Sequence, residues 1–490
     1  MPTSLVTLTL GAALVGLIAV AQWRFLAPRL RRSQARRFLE KHHPAVLSTP
    51  KTRKVLLIHP TTHLTGGVLY KEKLVFTPAL TLPLLAALTP PHWEVELCYE
   101  TSEEIPWDTD AQVVGLSNMG HSLWRAFEIA REFRKRGKHV VIGGTMASLV
   151  PDLAQAECDT LFIGDAELTW PRFLQDFEQG RPQPTYVASE RHVIAELPVP
   201  RYDLLLAKST VGLMMPVQIA RGCCHHCRFC TITALSAGNY TPRPVDQILR
   251  DILSLREFGR KFFFFLDDNL AADAPFARGL FQQVSGLGIR WASQSTLDIL
   301  KDPTLLPLAV ESGCITLCFG LESLTQKSLG NVGKGFLRAS DYDGQLASIH
   351  QSGLMETAEF IIGLDHDTPE AIEQLAEFII ERTIPLVRAY IFAPIPGTPV
   401  CQEFREAGRL LEQDYTRIGG SNVGFRPANF TPDGLLAAYW KLMDRIYSWP
   451  AILRRVFLRP SRGPFDTLVA LAANVVYRRQ VKKRIVPGQA

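Results

Sequence analysis

The chain has 490 residues, of which 47% are hydrophobic, and this is enough for two or three domains with cores of their own. The formal net charge of +5 is modest, and the central region has no basic stripe interleaved with aromatic residues. On these grounds we exclude nucleic acid as a partner.

The first element in the chain is an apolar run with the length of a membrane span. No charged side chain occurs from Ser4 to Gln22, and six arginines follow within residues 24–37. Because the positive charges come after the apolar run, the pattern differs from that of a cleaved secretory signal. By the positive-inside rule, residues 1–37 are predicted to be a single-pass N-terminal anchor with its basic flank, which leaves the remaining chain on the cytoplasmic side of the membrane. A buried or interfacial helix is the alternative.

Residues 50–185 alternate short apolar runs with helical segments, which predicts a doubly wound parallel sheet. The expected strands are Val55 to Ile58, Glu94 to Tyr99, Val113 to Ser117, Val140 to Gly144 and Thr160 to Gly164. Small and polar residues stand at the ends of three of these runs, at Ser117 to Gly120, Gly143 to Thr145 and Gly164 to Glu167. Ligands bind such sheets at the carboxyl ends of the strands, and glycine lets a ligand approach the backbone, so we expect a binding crevice there.

Three cysteines on one short loop form the most specific motif of the chain. Cys223, Cys227 and Cys230 stand in a C-x3-C-x2-C spacing, directly after the apolar run Val217 to Ala220. Iron-sulfur clusters usually have four cysteine ligands, so a loop that offers three would leave one iron open for a cosubstrate. A zinc site that joins Cys227 and Cys230 to the two histidines of the loop is the alternative.

Residues 205–405 contain six apolar runs with helical segments between them, which predicts a partial β/α barrel of six strands. The runs after the cysteine loop are Phe262 to Leu266, Ile289 to Ala292, Ile315 to Phe319, Ala358 to Ile362 and Ala389 to Phe392. Polar turns such as Asp267-Asp268-Asn269 and Gly320-Leu321-Glu322-Ser323 follow the runs, where barrels of this kind gather their catalytic groups. Each turn could instead cap the next helix.

Residues 406–490 are predicted to form a mainly helical extension. Its last segment, Phe465 to Arg484, mixes apolar and basic residues. Such a segment either lies on an anionic membrane surface or docks as an ordinary terminal helix.

The cysteine loop, with the aromatic Phe229 directly before its third cysteine, resembles the signature of the radical S-adenosylmethionine (SAM) superfamily. The resemblance implies a [4Fe-4S] cluster whose open iron chelates SAM, and a single electron that cleaves SAM to a 5'-deoxyadenosyl radical. The implied metal ligands are Cys223, Cys227 and Cys230, and the implied SAM-binding residues are Phe229, Asp268, Asn269 and Glu322.

The first domain resembles the cobalamin-binding domain that precedes the radical core in one subclass of this superfamily, which includes hopanoid methylases and anaerobic cyclases. The resemblance rests on a Gly-Gly pair and a Gly-Asp-Ala-Glu turn, and it implies cobalamin as a further cofactor. The implied contacts are Ser117, Gly143, Gly144 and Gly164. The base-displacing motif D-x-H-x-x-G is altered, because Thr61 stands in place of its aspartate, so His63 is not expected to be the lower ligand of cobalt.

The resemblance implies an enzyme, and specifically a cobalamin-dependent C-methyltransferase. The basic and apolar ends favour a hydrophobic, membrane-associated substrate such as a terpenoid lipid, a fatty chain or a tetrapyrrole. An electron donor such as ferredoxin or flavodoxin is a further implied partner. Two alternatives stay open: a radical SAM enzyme that forms rings, couples carbons or rearranges its substrate without methyl transfer, and a non-enzymatic, membrane-tethered iron-sulfur redox protein.

Overall fold

The computed structural model describes residues 32–64, 67–188, 194–411, 420, 422–458 and 463–488. Within these ranges the chain forms two parallel six-stranded sheets and one short two-stranded sheet, with helices between the strands. The predicted α/β class is therefore confirmed.

The first sheet is built from β1 to β6 in the order β2-β1-β3-β4-β5-β6, and all of its pairings are parallel. The strands are β1 Arg53–His59, β2 Trp93–Tyr99, β3 Val113–Asn118, β4 His139–Gly144, β5 Thr160–Ile163 and β6 Thr185–Val187. The strand order reverses between β1 and β3, and ligands of such sheets bind outside the carboxyl ends of the strands at this point. Five strands coincide with predicted runs, and β6 is an addition.

The helices of this first part lie on both faces of the sheet or lead into it. They are Arg32–His42, Pro44–Ser48, Thr81–Leu88, Ser122–Lys135, Thr145–Leu149, Pro151–Gln155, Thr169–Glu178 and Tyr202–Leu206. Alternate residues of β1 enter different cores: Leu56 and Ile58 pack under the helix Ser122–Lys135, while Val55 and Leu57 join the core that continues into the second sheet.

The second sheet contains β7 and β10 to β14 in the order β14-β13-β12-β11-β10-β7, again entirely parallel. Its strands are β7 Met214–Gln218, β10 Phe262–Leu266, β11 Arg290–Ser295, β12 Cys314–Glu322, β13 Met355–Ile362 and β14 Leu386–Ile391. Strands β8 Ala220–Gly222 and β9 Tyr240–Pro242 form the small antiparallel sheet that flanks the cysteine loop. Sequential parallel strands linked by helices give the order of an open β/α barrel.

The helices of this second part connect its strands and extend beyond them. The connecting helices are Thr231–Ser236, Val245–Arg256, Ala274–Val284, Leu305–Glu311, Gln326–Asn331, Tyr342–Gln351, Pro369–Glu381 and Pro399–Glu406, with short 3-10 turns at Leu270–Ala272, Leu297–Lys301 and Ala339–Asp341. The C-terminal helices are Pro432–Ile446, Trp449–Phe457 and Pro464–Lys482.

The last helix, Pro464–Lys482, is docked on the second sheet. Asn474 is fully buried; its amide donates to the carbonyl of Pro385, and its side-chain oxygen accepts from the buried Arg455. Of the two readings of this segment, the structure therefore favours an ordinary docked terminal helix.

The predicted anchor from Ser4 to Gln22 lies outside the described residues. Among the helices that the structure describes, none combines the length and the apolar character that a bilayer crossing requires. We therefore correct the predictions of a single-pass N-terminal anchor and of a location on the cytoplasmic side of a membrane. The basic flank that suggested this topology continues into a folded helix, Arg32–His42, whose Phe38 packs on Phe258 at 5.3 Å.

Candidate active site

The cysteine loop leaves the small antiparallel sheet at a position that only glycine can occupy. Gly222, the last residue of β8, has a φ of +85°, and a Cβ atom there would lie 2.0 Å from the carbonyl oxygen of Asn239. The amide of Gly222 donates to Oδ2 of Asp268 at 2.8 Å. Asp268, at the carboxyl end of β10, thus fixes the entry of the loop.

The three predicted ligands are held on this loop at different depths. Cys227 is buried, Cys223 and Cys230 are half-buried, and the neighbouring Cys224 is exposed. The charge of Cys230 acts on both Cys223 and Cys227, and that of Cys223 acts on Cys227. The three thiols therefore interact electrostatically; Cys224 also acts on Cys223, and its own side chain is exposed.

The surroundings of these thiols disfavour the free thiolate. Burial raises the pKa of Cys223 to about 11 and that of Cys227 to about 12, although the ammonium of Lys334 opposes the rise at Cys227. A thiol binds metal only after it has lost its proton, so a bound cation would have to supply the charge that stabilises the thiolates. The donor set suits an iron-sulfur cluster, whose soft irons take thiolate ligands.

The zinc alternative fits the geometry less well. In the part of the chain that the structure describes, no three His, Cys, Asp or Glu side chains converge closely enough to hold one metal ion. Zinc needs its ligands around a single centre, whereas a cluster spreads them over separate irons. The loop histidines have other contacts: His225 lies 3.1 Å from Asp298 and stacks on Phe336 at 3.8 Å, and the ring of His226 packs against Gly238.

The polar turn after β10 holds the cysteine loop and the neighbouring strand end. Asn269 is fully buried; its Oδ1 accepts from the amide of Thr296, and its Nδ2 lies 4.0 Å from Sγ of Cys224. Asp267 accepts a hydrogen bond from the hydroxyl of Tyr240, and burial raises its pKa to about 7. Asp268 and Asn269 therefore border the loop, as their place after the strand predicts, and both make protein contacts.

Glu322 ends β12 in a strained, buried conformation. Its φ of +63° is rare for a residue with a side chain, and such strain concentrates at functional sites. Its carboxylate pairs with the ammonium of Lys334 at 2.6 Å, and both side chains are 9% exposed. Lys334 also donates to the carbonyl of Gly320. Phe229, between Arg228 and Cys230 on the loop, is half-buried and packs against the main core.

The carboxyl edge of the first sheet contains a narrow cavity. The four residues predicted for this side all line it, together with apolar neighbours such as Leu85 and Trp170; they are Ser117, Gly143, Gly144 and Gly164. Gly144 has a φ of +115°, and a Cβ atom there would lie 2.1 Å from the carbonyl oxygen of Asn118. His63, by contrast, faces Glu128 at 3.3 Å.

Comparison with known proteins agrees with this geometry. Residues 217–379, which include the cysteine loop, Asp268, Asn269 and Glu322, match the Radical SAM superfamily. This part of the chain is a radical SAM domain. The predictions of this family and of an enzyme are therefore confirmed.

Several relatives of this radical SAM protein match along most of its length. Bacteriochlorophyllide d C-12(1)-methyltransferase of Chlorobaculum tepidum is 26% identical over 416 residues, which cover 83% of this chain and 90% of that protein. Hopanoid C-2 methylase of Rhodopseudomonas palustris is 27% identical over 427 residues, which cover 82% of this chain and 79% of that protein.

Two solved structures share the fold of this radical SAM protein. The radical SAM methyltransferase TsrM from Kitasatospora setae, solved with cobalamin and a [4Fe-4S] cluster bound, superposes with a TM-score of 0.63 at 13% identity and covers 88% of this chain and 99% of its own. The cobalamin-dependent radical enzyme OxsB, solved with aqua-cobalamin and SAM, superposes with a TM-score of 0.63 at 13% identity and covers 89% of this chain and 72% of its own.

The radical SAM loop and the cavity of the first sheet are joined by ion pairs that the sequence did not indicate. Arg221, two residues before Cys223, pairs with Glu167 at 2.5 Å and with Asp165 at 3.2 Å. Both acids belong to the turn that follows β5 and Gly164. The helix Thr145–Leu149 of the first part also contacts Thr231–Ser236, the helix that follows the loop. The carboxyl edge of the first sheet therefore faces the cysteine loop.

Lys334 is the second residue of the site that sequence reasoning missed. It follows the helix Gln326–Asn331 and lies 12 positions from Glu322, outside every motif of the chain. Its segment also touches the loop, because the amide of Arg228 donates to the carbonyl of Val332. A lysine among glycines, as in Gly333-Lys334-Gly335, was the available signal, and it was weak.

Proposed function

We propose that this radical SAM enzyme is a cobalamin-dependent C-methyltransferase that acts on a hydrophobic small molecule. The observation that carries the proposal is the pairing of Arg221 with Asp165 and Glu167, which sets the cavity edge of the first sheet against the cysteine loop. A methyl carrier in that cavity and a radical source on that loop would face a common space. The fold shared with TsrM and OxsB and the methyltransferase relatives support the same conclusion.

In this proposal residues 205–405 hold the cluster and SAM. Cys223, Cys227 and Cys230 would ligate the [4Fe-4S] cluster, and Phe229, Asp268, Asn269 and Glu322 would border SAM. When bound, the cluster supplies the electron that cleaves SAM. Glu322 suits the ammonium of SAM because a carboxylate forms charge-assisted hydrogen bonds to it. Burial raises the pKa of the Glu322 carboxyl, and the charge of Lys334 opposes that rise.

Residues 50–185 would hold cobalamin, which carries the methyl group. Ser117, Gly143, Gly144 and Gly164 line the cavity without large side chains, so a flat or extended ligand can reach the backbone. The substrate is proposed to be hydrophobic because the relatives named above act on a bacteriochlorophyllide and on hopanoids. A ferredoxin or a flavodoxin would supply the electrons.

The test is the transfer of a labelled methyl group to a bound corrinoid. The full chain is expressed with cobalamin and purified without oxygen, its cluster is reconstituted, and SAM with a trideuterated methyl group is added. We expect one corrinoid per chain that acquires the label, and reductive cleavage of SAM in the same sample. Gly143→Leu should abolish corrinoid binding and spare the iron, because even a Cβ atom there lies 3.1 Å from Cβ of Phe162.

Gly279→Leu is the matched control, since an added Cβ atom at this helical position has no neighbour within 4 Å. Cleavage of SAM by wild-type protein that binds no corrinoid would contradict the cobalamin proposal and favour the ring-forming or rearranging alternative. Absence of both activities would contradict the proposal as a whole.

A further inference from the structure

The inner face of the second sheet, the face away from its connecting helices, carries a buried polar cluster. The strand register places Glu359 of β13 beside Gly320 of β12 and Arg388 of β14, so all three share this face. On the opposite face of the sheet, Leu317 of β12 and Val387 of β14 are fully buried. We call Cys318, Glu359, Arg388 and Tyr390 the inner-face cluster.

Arg388 is the centre of the inner-face cluster and is incompletely satisfied. Its guanidinium forms an ion pair with Glu359, and its Nη2 donates to Sγ of Cys318 at 3.2 Å. Among the described residues, its buried Nε has no hydrogen-bond partner. A buried N–H without an acceptor is destabilising, and a thiol is a weak acceptor. Nη2 is thus shared by Glu359 and Cys318, and Nε is the donor left without an acceptor, so a further carboxylate would bind at Nε and compete with Glu359 for Nη2.

The opposite side of the same face is apolar. Register pairs carry the face from Cys318 through β11 to β10 and β7, where Phe262, Phe264, Leu266 and Met214 point the same way. The three β10 residues are only half-buried, while the alternate residues Phe263 and Phe265 are fully buried on the other face. One face thus offers apolar residues on β10 and, across the sheet, a guanidinium, with the polar Gln294 of β11 between them.

The inner-face cluster adjoins the site and is shielded at its other side. Burial raises the pKa of Glu322, and the carboxylate of Glu359 adds to that rise, so the two acids are near neighbours. From the C-terminal part, the charge of Tyr477 acts on Arg388, and a Cβ atom at Gly488 would lie 2.5 Å from Cδ of Arg388. A substrate group bound by Arg388 would therefore be screened little by water.

We propose that Arg388 is a specificity-determining residue that binds a carboxylate of an amphipathic substrate, whose apolar body lies along Phe262, Phe264 and Leu266. This inference rests on the proposed function, which requires the substrate to reach the space that the cysteine loop faces. It selects acidic amphipaths, such as a fatty acid or a tetrapyrrole with propionate groups, over neutral terpenoid hydrocarbons.

The test is equilibrium binding of matched acidic and neutral probes to the full, cluster-reconstituted chain without oxygen. The first pair is dodecanoate and dodecanol, whose binding is measured by calorimetry. The second pair is protoporphyrin IX and its dimethyl ester, whose binding is measured by absorbance. We expect at least one acid to bind about tenfold or more tightly than its neutral partner, since a hydrogen bond to a charged group has that strength. The pair in which the acid binds more tightly than its neutral partner identifies whether the carboxylate belongs to a fatty chain or to a tetrapyrrole.

Two variants move the preference in opposite directions. Arg388→Met should erase the preference for the acid, and Glu359→Gln should strengthen acid binding several-fold, because it removes the carboxylate that now occupies Arg388; a gain cannot result from misfolding. Arg382→Met is the control, since its partner Asp343 lies on the exposed surface. Equal binding of acid and neutral probes, no binding of any probe, a preference that survives Arg388→Met, or no gain in Glu359→Gln would overturn the inference.

These outcomes are separable from those of the proposed function. Binding requires no electron, no SAM cleavage and no methyl transfer, so it is measured whether or not the label reaches a corrinoid. If wild-type protein transfers the labelled methyl group but does not prefer the acidic probes, only the proposed role of Arg388 is contradicted.

Discussion

Replacement of Arg221 by methionine tests the link between the two halves of the site. A solvent-exposed ion pair contributes about 0–1 kcal/mol, whereas removal of one partner from a buried pair costs about 3–5 kcal/mol. The side chains of Arg221 and Glu167 are 18% and 8% exposed, so the pair lies nearer the buried limit. We expect Arg221→Met to lower the free energy of unfolding by about 2–3 kcal/mol, because it leaves two carboxylates facing each other.

The assay is urea unfolding followed by tryptophan fluorescence, in a double-mutant cycle with Glu167→Gln. The cycle should give a coupling energy of about 1–2 kcal/mol between the two side chains. Arg134→Met is the control, because its partner Asp159 lies in an exposed pair of the same half. If Arg221→Met costs no more than Arg134→Met, or if the two single costs simply add, the two halves are not held together by this pair.

Two further predictions concern backbone geometry and pH. Gly144→Ala should destabilise the protein by about 3 kcal/mol or more and release corrinoid, because its Cβ atom would collide with Asn118. Gly137→Ala is the control and should cost about 1–2 kcal/mol, because Gly137 has a φ of +71° but open space around it. Urea unfolding measures the stability of both variants, and absorbance measures their bound corrinoid. Burial raises the pKa of Asp267 to about 7 from about 4 in an unfolded chain, so the folded state binds this proton more tightly. The contribution of Asp267 to stability should therefore decline as pH rises from about 4 to 7. In unfolding curves over this range, the stability of wild-type protein relative to Asp267→Asn should fall with pH; equal slopes for the two proteins would contradict this.

The sequence predicted those features that depend on local spacing. The cysteine loop is one such feature, because its three thiols lie within eight residues, and the apolar strands of the first sheet are another, because both of their faces are buried. Strand lengths in the second sheet were underestimated: β13 begins at Met355 rather than Ala358, and β14 at Leu386 rather than Ala389. Polar residues near the starts of these strands, such as Glu356 and Arg388, interrupt the apolar runs there.

Contacts between distant parts of the chain were not predictable. Arg221 meets Glu167 across 54 residues, and Lys334 reaches Glu322 from beyond a helix, so neither pair has a sequence pattern. The strand β6, Thr185–Val187, has only three residues at a sheet edge, and its Val187 is exposed, which leaves no apolar run to detect.

The most direct test of the central claim is the formation of 5'-deoxyadenosine from SAM by the reduced, reconstituted protein, measured beside its iron content. Wild-type protein and Cys224→Ala should bind about four irons per chain and cleave SAM, because Cys224 is exposed and stands outside the C-x3-C-x2-C spacing. Cys227→Ala should lose the cleavage and most of the iron. Cleavage that persists in Cys227→Ala, or iron that is lost in Cys224→Ala, would contradict the assignment of the radical site.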